Sequence, residues 1–168
     1  MPEGFDQFVA QRLDRLLRFA TALTCDPHLA QDIVQEVLLR AQSRWPRIGS
    51  LHAPDLYVRR MVTNEYLSWR RRRAATDIAS EHSTLDAIGR PTADPAVAYA
   101  EREAMRARIA VLPRKQRAAI VLRYYEDRTD DEIADVLGCS AGTVRSHLSR
   151  ALSTLRAAGP RPVKEALS

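Results

Sequence analysis

Apolar positions recur at helical spacing along most of the chain, and strict alternation never persists beyond a few residues. Phe5, Phe8, Val9, Leu13, Leu16, Leu17, Ala20 and Leu23 share one face and predict a helix over 5–24. Asp26-Pro27 has the form of an N-cap followed by first-turn proline. It predicts a second helix to about Arg44, with Ile33, Val34, Val37, Leu38 and Ala41 inward. Trp45-Pro46 ends that helix, and 47–53 are expected to form a loop around Gly49 and Ser50. A third long helix is expected from about Pro54 to the block Arg70-Arg71-Arg72-Arg73. From Ala74 to about Asp94 the periodicity collapses into Thr, Ser, Asp, Gly89 and Pro91, the composition of a linker. Asp94-Pro95 opens a fourth helix ending at Leu112-Pro113, and a fifth runs over 114–126 and buries Ala119, Ile120, Leu122 and Tyr124.

The stretch Thr129–Arg156 predicts two helices joined by a tight turn. Thr129 and Glu132 have capping-box spacing, Gly138 suits a left-handed helix stop, and Ser140 suits the next N-cap. At roughly 100° per residue, Val144, Leu148, Ala151, Leu152 and Leu155 gather on one side of the second helix. Gly142, Thr143, Ser146, Ser149, Arg150 and Ser153 face the other way, with Arg145 on the flank. A short capped helix, a glycine turn and a helix with polar and basic residues near its start form the helix-turn-helix pattern, whose second helix enters the DNA major groove. An ordinary helical hairpin with a solvated face shows less of this agreement. The expected fold is all-α, with two small helical domains over 1–73 and 95–157, a linker over 74–94 and a tail over 158–168.

Composition sharpens the picture without overturning it. The 168 residues are 45% hydrophobic, enough to bury a core, and carry a formal charge of +5, mostly on Arg. That balance favours an anionic partner. Cys25 and Cys139 are far apart, and His28, His52, His82 and His147 have no metal-type spacing. No P-loop, GxSxG or GxGxxG occurs, so neither an enzyme nor a cofactor is expected. No secretory signal pattern or membrane-length apolar run is present, and the expectation is a cytoplasmic protein without membrane insertion.

Two further surfaces carry candidate chemistry. The outer face of the second helix holds Asp32, Gln35, Glu36 and Arg40, a mainly acidic strip on a basic protein, and periodicity alone reads it as a solvated face. In the third helix, Tyr57, Met61, Asn64, Leu67 and Trp69 are interleaved with Arg59 and Arg60. Aromatics among arginines suit stacking on unpaired bases while guanidinium groups hold phosphates. Four consecutive arginines exceed what compensation of a helix C-terminus requires.

Taken together, these residues resemble the extracytoplasmic-function sigma factors of bacterial RNA polymerase, in wording most like the actinobacterial SigE-like subgroup. AQDIVQEVLLRAQSRW (30–45) resembles the polymerase-binding helix of sigma region 2, and YVRRMVTNEYLSWRRRR (57–73) is similar to the promoter-melting helix. LPRKQRAAIVLRYYEDRTDDEIADVLGCSAGTVRSHLSRALSTLR (112–156) resembles region 4 from end to end. The resemblance implies that Asp32, Gln35, Glu36 and Arg40 dock on the clamp helices of the polymerase β′ subunit, with the β flap as a further contact. It implies −10 contacts for Trp45, Arg47, Arg59, Arg60, Asn64, Trp69, Arg70, Arg71, Arg72 and Arg73, with a flipped base held by the loop at 45–55 and the start of the next helix. It implies −35 contacts for Ser140, Thr143, Arg145, Ser146, His147, Ser149 and Arg150. His147 stands where many members carry Arg or Lys. Core RNA polymerase, promoter DNA and an anti-sigma factor are the expected partners.

Two other functions fit parts of the chain. An operator-binding helix-turn-helix regulator predicts a symmetric dimer footprint on palindromic DNA without polymerase. A helical protein–protein adaptor predicts no salt-dependent DNA affinity.

Overall fold

The computed structural model describes residues 3–76 and 96–158. Among them every regular element is helical, and the chain divides into two compact units on either side of the segment 77–95. The expected linker and the Asp94-Pro95 cap fall mostly or wholly on that segment, and the tail from 159 on also lies outside the described residues.

The N-terminal unit contains α1 (Phe5–Thr24), α2 (Pro27–Ser43), α3 (Trp45–Ile48) and α4 (Pro54–Thr76). Cys25 in the left-handed conformation stops α1, and the Asp26 side chain accepts from the backbone N–H groups of His28 and Leu29 to start α2. Leu16 and Leu23 of the expected α1 face pack with Ile33, Val34 and Val37 of the expected α2 face, joined by Phe19 of α1 and Val58 and Val62 of α4, which the pattern did not single out, all 2% exposed or less. Each such side chain contributes about 1.5–3 kcal/mol of burial free energy.

Two details differ from the expectation. The chain after Ser43 does not loop at once, because Trp45–Ile48 forms the helical turn α3 beneath the start of α1. α4 also runs on to Thr76, past the expected boundary at 73, since Arg and Ala favour helix continuation.

The C-terminal unit contains α5 (Ala96–Ala110), α6 (Arg114–Ile120), α7 (Asp130–Leu137) and α8 (Ala141–Ala157). The expected fifth helix does reach Tyr125, but its last turn, Val121–Tyr125, is π-helical. Arg117 is buried and donates to the carbonyls of Ala110 (2.6 Å) and Leu112 (3.3 Å), which fixes the α5–α6 corner. Arg108 of α5 donates to the Leu155 carbonyl, tying α5 to the end of α8. Ile109, Ile120, Ile133, Val144, Ala151 and Leu155 form the core between these helices.

Candidate polymerase-docking and nucleic-acid interfaces

Because α2 turns its aliphatic residues inward, Asp32, Gln35 and Glu36 fall on the outside, and all three are exposed. One turn further Leu39 is 59% exposed. The run Val37-Leu38-Leu39 has more apolar residues than one inward face can take, which is the sequence signal for an apolar point on this strip. An apolar groove of about 290 Å³ lies between α1 and α2, bordered by Gln35 and Leu39 of the same face.

Arg40 is placed differently from its acidic neighbours. Its Nε sits 3.5 Å from Glu36 Oε1, and an Nη atom pairs with Glu65 of α4. The Glu65 side chain is only 7% exposed, and its other oxygen pairs with Arg72. Arg40 is therefore a brace between α2 and α4 as well as the margin of the strip.

The corner after α2 packs against the start of α1. Trp45 is 9% exposed, its ring meeting Phe5 edge-on at 5.3 Å and Phe8 tilted at 4.8 Å between centroids. Its indole N–H donates to the Glu3 carbonyl at 2.9 Å. Trp45, among the residues expected at the −10 element, thus uses both its ring and its N–H inside the fold. Gly49 is required by this arrangement, since a Cβ there would lie 2.8 Å from the indole nitrogen. On the outer side of the corner, Ser43, Arg47, Ile48, Leu51 and Tyr57 line a cleft of about 430 Å³, within the range of small-ligand pockets. Arg47 is exposed and Tyr57 is 39% exposed, so the cleft has a cation and an aromatic wall at its mouth.

Along α4 the expected DNA-facing residues divide. Arg60, Asn64 and Arg71 are exposed, Trp69 is half-buried, and Arg72 is engaged with Glu65. Arg59 is 5% exposed and lies 3.0 Å from Asp55, in the interior of the unit. Arg70 and Arg73 continue the helix, and their side chains lie outside the described residues.

In the C-terminal unit the local caps form as their residue types dictate. Thr129 Oγ1 accepts from the Glu132 N–H at 3.2 Å, and Glu132 Oε2 accepts from the Thr129 N–H at 2.8 Å. That backbone hydrogen bond is the main reason the Glu132 carboxyl is held below its usual range. Gly138 adopts φ +66° and ends α7. Ser140 Oγ accepts from the Thr143 N–H at 3.1 Å and lies 2.9 Å from its hydroxyl, which starts α8. Val144, Ala151 and Leu155 are buried, while Leu148 and Leu152 are half-buried. The opposite face brings Thr143, Arg145, Ser146, Ser149 and Arg150 together on the surface.

His147 is half-buried rather than fully presented. Burial first, then the charges of Lys115 and Arg150, push its pKa below the ordinary imidazole value. Arg145 Nη1 lies 3.6 Å from Asp130 Oδ2, and the other Asp130 oxygen pairs with Arg123. Glu65 and Asp130 were not among the expected functional residues, because each is gripped by an arginine of another helix as well as one nearer in sequence.

Among the described residues there is no group of three or more His, Cys, Asp and Glu side chains that could hold a metal ion. No described helix is long and apolar enough to cross a membrane.

Comparison with known proteins identifies the family. Residues 8–76 match the family model for sigma-70 region 2, and residues 102–155 match that for sigma-70 region 4. The chain is 38% identical over 152 residues to the RNA polymerase sigma-E factor of Streptomyces coelicolor, covering 90% of this chain and 84% of that one. It is 34% identical over 149 residues to the extracytoplasmic-function sigma factor SigL of Mycobacterium tuberculosis, covering 84% and 80% respectively. In fold it resembles the Bartonella quintana sigma factor RpoE, crystallised with the anti-sigma factor NepR, with a TM-score of 0.66 at 24% identity and coverage of 91% of this chain and 94% of that one. The chain belongs to the extracytoplasmic-function group of sigma-70 factors, the subunits that bind core RNA polymerase and direct promoter-specific initiation.

Proposed function

We propose that the two units divide this task by chemistry, the N-terminal one docking on polymerase and holding the melted −10 strand, the C-terminal one reading the −35 duplex. The observation that carries this reading is that the chain exposes two chemically opposite surfaces on separate units. Asp32 and Glu36 with the apolar Leu39 suit a protein partner with a basic, partly apolar helix, and the polymerase β′ clamp helices are that partner. Arg145 and Arg150 among small hydroxyl residues suit the major groove. A regulator that only binds operators has no use for the first surface, and an adaptor has none for the second.

At the −10 element, Arg60, Asn64 and Arg71 on α4 hold the displaced strand, and the cleft between Arg47 and Tyr57 receives an extruded base. Extrusion costs a few kcal/mol, offset by stacking and by contacts within the pocket. Trp45 and Arg59 act indirectly, by fixing the shape of the cleft and of α4. At the −35 element, the N-terminus of α8 and Thr143 meet phosphate, while Arg145, Ser146, Ser149 and Arg150 face base edges. The protein acts in the cytoplasm as an initiation factor without catalytic chemistry of its own, and an anti-sigma factor competes for these same surfaces.

The reading is tested by co-purification with core polymerase. The native chain is expected to assemble a holoenzyme that footprints both promoter elements. A chain that binds palindromic DNA as a dimer but never joins core polymerase contradicts it.

A further inference from the structure

We infer that Asp130 is a specificity-determining positioning residue, setting how Arg145 approaches the −35 bases; this rests on the assignment of α8 to the −35 element. Asp130 is the first residue of α7, and both its oxygens are engaged by arginines from other elements. Arg123 of the π-helical turn holds one oxygen, and Arg145 of α8 lies 3.6 Å from the other. The Asp130 side chain is 30% exposed, and that of Arg145 is 65% exposed. The carboxylate is thus anchored from behind and faces a guanidinium that projects into solvent. Helix stability alone does not demand this residue, because Asp131 and Glu132 also place negative charge in the first turn of α7.

The consequence follows from what an arginine does near DNA. A long, mobile guanidinium pairs with any phosphate along the groove, and such contacts carry no sequence information. Asp130 counters this twice. It limits the rotamers of Arg145, whose ordering otherwise has to come from the DNA contact. It also places a negative charge beside the guanidinium, which repels the phosphate backbone and favours a base edge. The contact involves Nη1, which leaves the edge formed by Nε and Nη2 pointing elsewhere. Two parallel donors on that edge match the O6 and N7 acceptors of guanine. Asp130 therefore lowers general DNA affinity and raises discrimination for guanine at one upstream position.

The test uses the full chain assembled with core polymerase on a promoter library randomised upstream, together with titration of an unrelated duplex at several salt concentrations. Asp130→Asn is expected to reduce the guanine preference at one position about five- to tenfold, the lower end of the discrimination a bidentate arginine supplies. Affinity for the unrelated duplex is expected to rise in the same variant. Arg145→Ala is expected to lose the preference at that same position, and adding Asp130→Asn to it to change the base ranking no further. If Asp130→Asn unfolds the unit, Arg123→Gln carries the test, since it removes the anchor and leaves the acidic first turn of α7 in place. An unchanged base ranking in a folded Asp130→Asn or Arg123→Gln variant, with Arg145→Ala still altering one position, overturns the role of Asp130 alone. An Arg145→Ala variant with native promoter ranking and affinity overturns the placement of α8, and this inference with it.

Discussion

In the N-terminal unit, Glu65 of α4 is gripped by Arg40 of α2 and Arg72 of its own helix; in the C-terminal unit, Asp130 of α7 is gripped by Arg123 and by Arg145 of α8. The chemistry is the same, but the Glu65 side chain is 7% exposed and that of Asp130 is 30% exposed. A carboxylate taken almost wholly out of water has to be matched by its partners, and it becomes part of what holds the helices together. One that keeps contact with water contributes little to stability and is at liberty to tune a neighbour. The comparison assigns Glu65 to architecture and Asp130 to recognition. It also explains why an arginine on each partner surface is tethered: Arg40 stays in register with α4, and Arg145 stays in register with α7.

The largest effect is expected where a surface meets its partner directly. Asp32→Arg combined with Glu36→Arg is expected to weaken core-polymerase binding by at least about 2–5 kcal/mol, the range for disrupting close interfacial charge pairs. Circular dichroism should be unchanged, because both residues are exposed and neither belongs to the core. Native co-purification by this variant removes α2 from the docking face.

The contrast between the two carboxylates comes next. Glu65→Ala is expected to cost about 2–3 kcal/mol of N-terminal-unit stability, somewhat less than a fully buried pair because both arginines can return to water. Asp130→Asn is expected to cost under about 1 kcal/mol, as for partly exposed ion pairs. Chemical denaturation of the two variants decides it, and equal losses would dissolve the distinction.

Arg150→Ala probes the same recognition face at an arginine with no acidic partner among the described residues. It is expected to cost about 1–3 kcal/mol at a single −35 position if the guanidinium meets a base edge, or to weaken all sequences evenly with a shallower salt slope if it meets phosphate. No change in either measurement removes it from the interface.

The smallest effect is a pH dependence from His147. Its pKa is lowered in the folded unit, so below about pH 6.5 the unfolded chain binds more protons than the folded one. Stability is therefore fully present above that pH, falls as pH drops toward the lowered folded value, and levels off below it. His147→Gln is expected to flatten this part of the profile in thermal unfolding between pH 7.5 and 5.5. An unchanged profile would place the imidazole in water, beyond the influence of Lys115 and Arg150.

Local devices were the most legible in the sequence. Thr129 with Glu132, Gly138 and Ser140 each act within a few residues, so spacing alone predicted both caps and the turn of the helix-turn-helix. The inward faces of α1 and α2 were legible for the same reason, since periodicity is a local property. The acidic strip on α2 was visible as a pattern, but periodicity could not distinguish a docking face from a solvated one. What stayed hidden depended on distant partners. The interior packing of Trp45 had no sign in the sequence, since its N–H partner Glu3 lies 42 residues away. Arg40 and Glu65 are 25 residues apart. The π-helical turn at 121–125, which carries Arg123 toward Asp130, has no local signature at all.

The central claim is that one chain supplies both promoter grips to a polymerase. Run-off transcription with core enzyme and the purified protein on a randomised promoter library tests it most directly. The account predicts initiation from a defined two-part set of promoters, with Asp32→Arg plus Glu36→Arg abolishing all of it and Asp130→Asn altering only the upstream preference. Absence of specific initiation from every sequence in the library would contradict it.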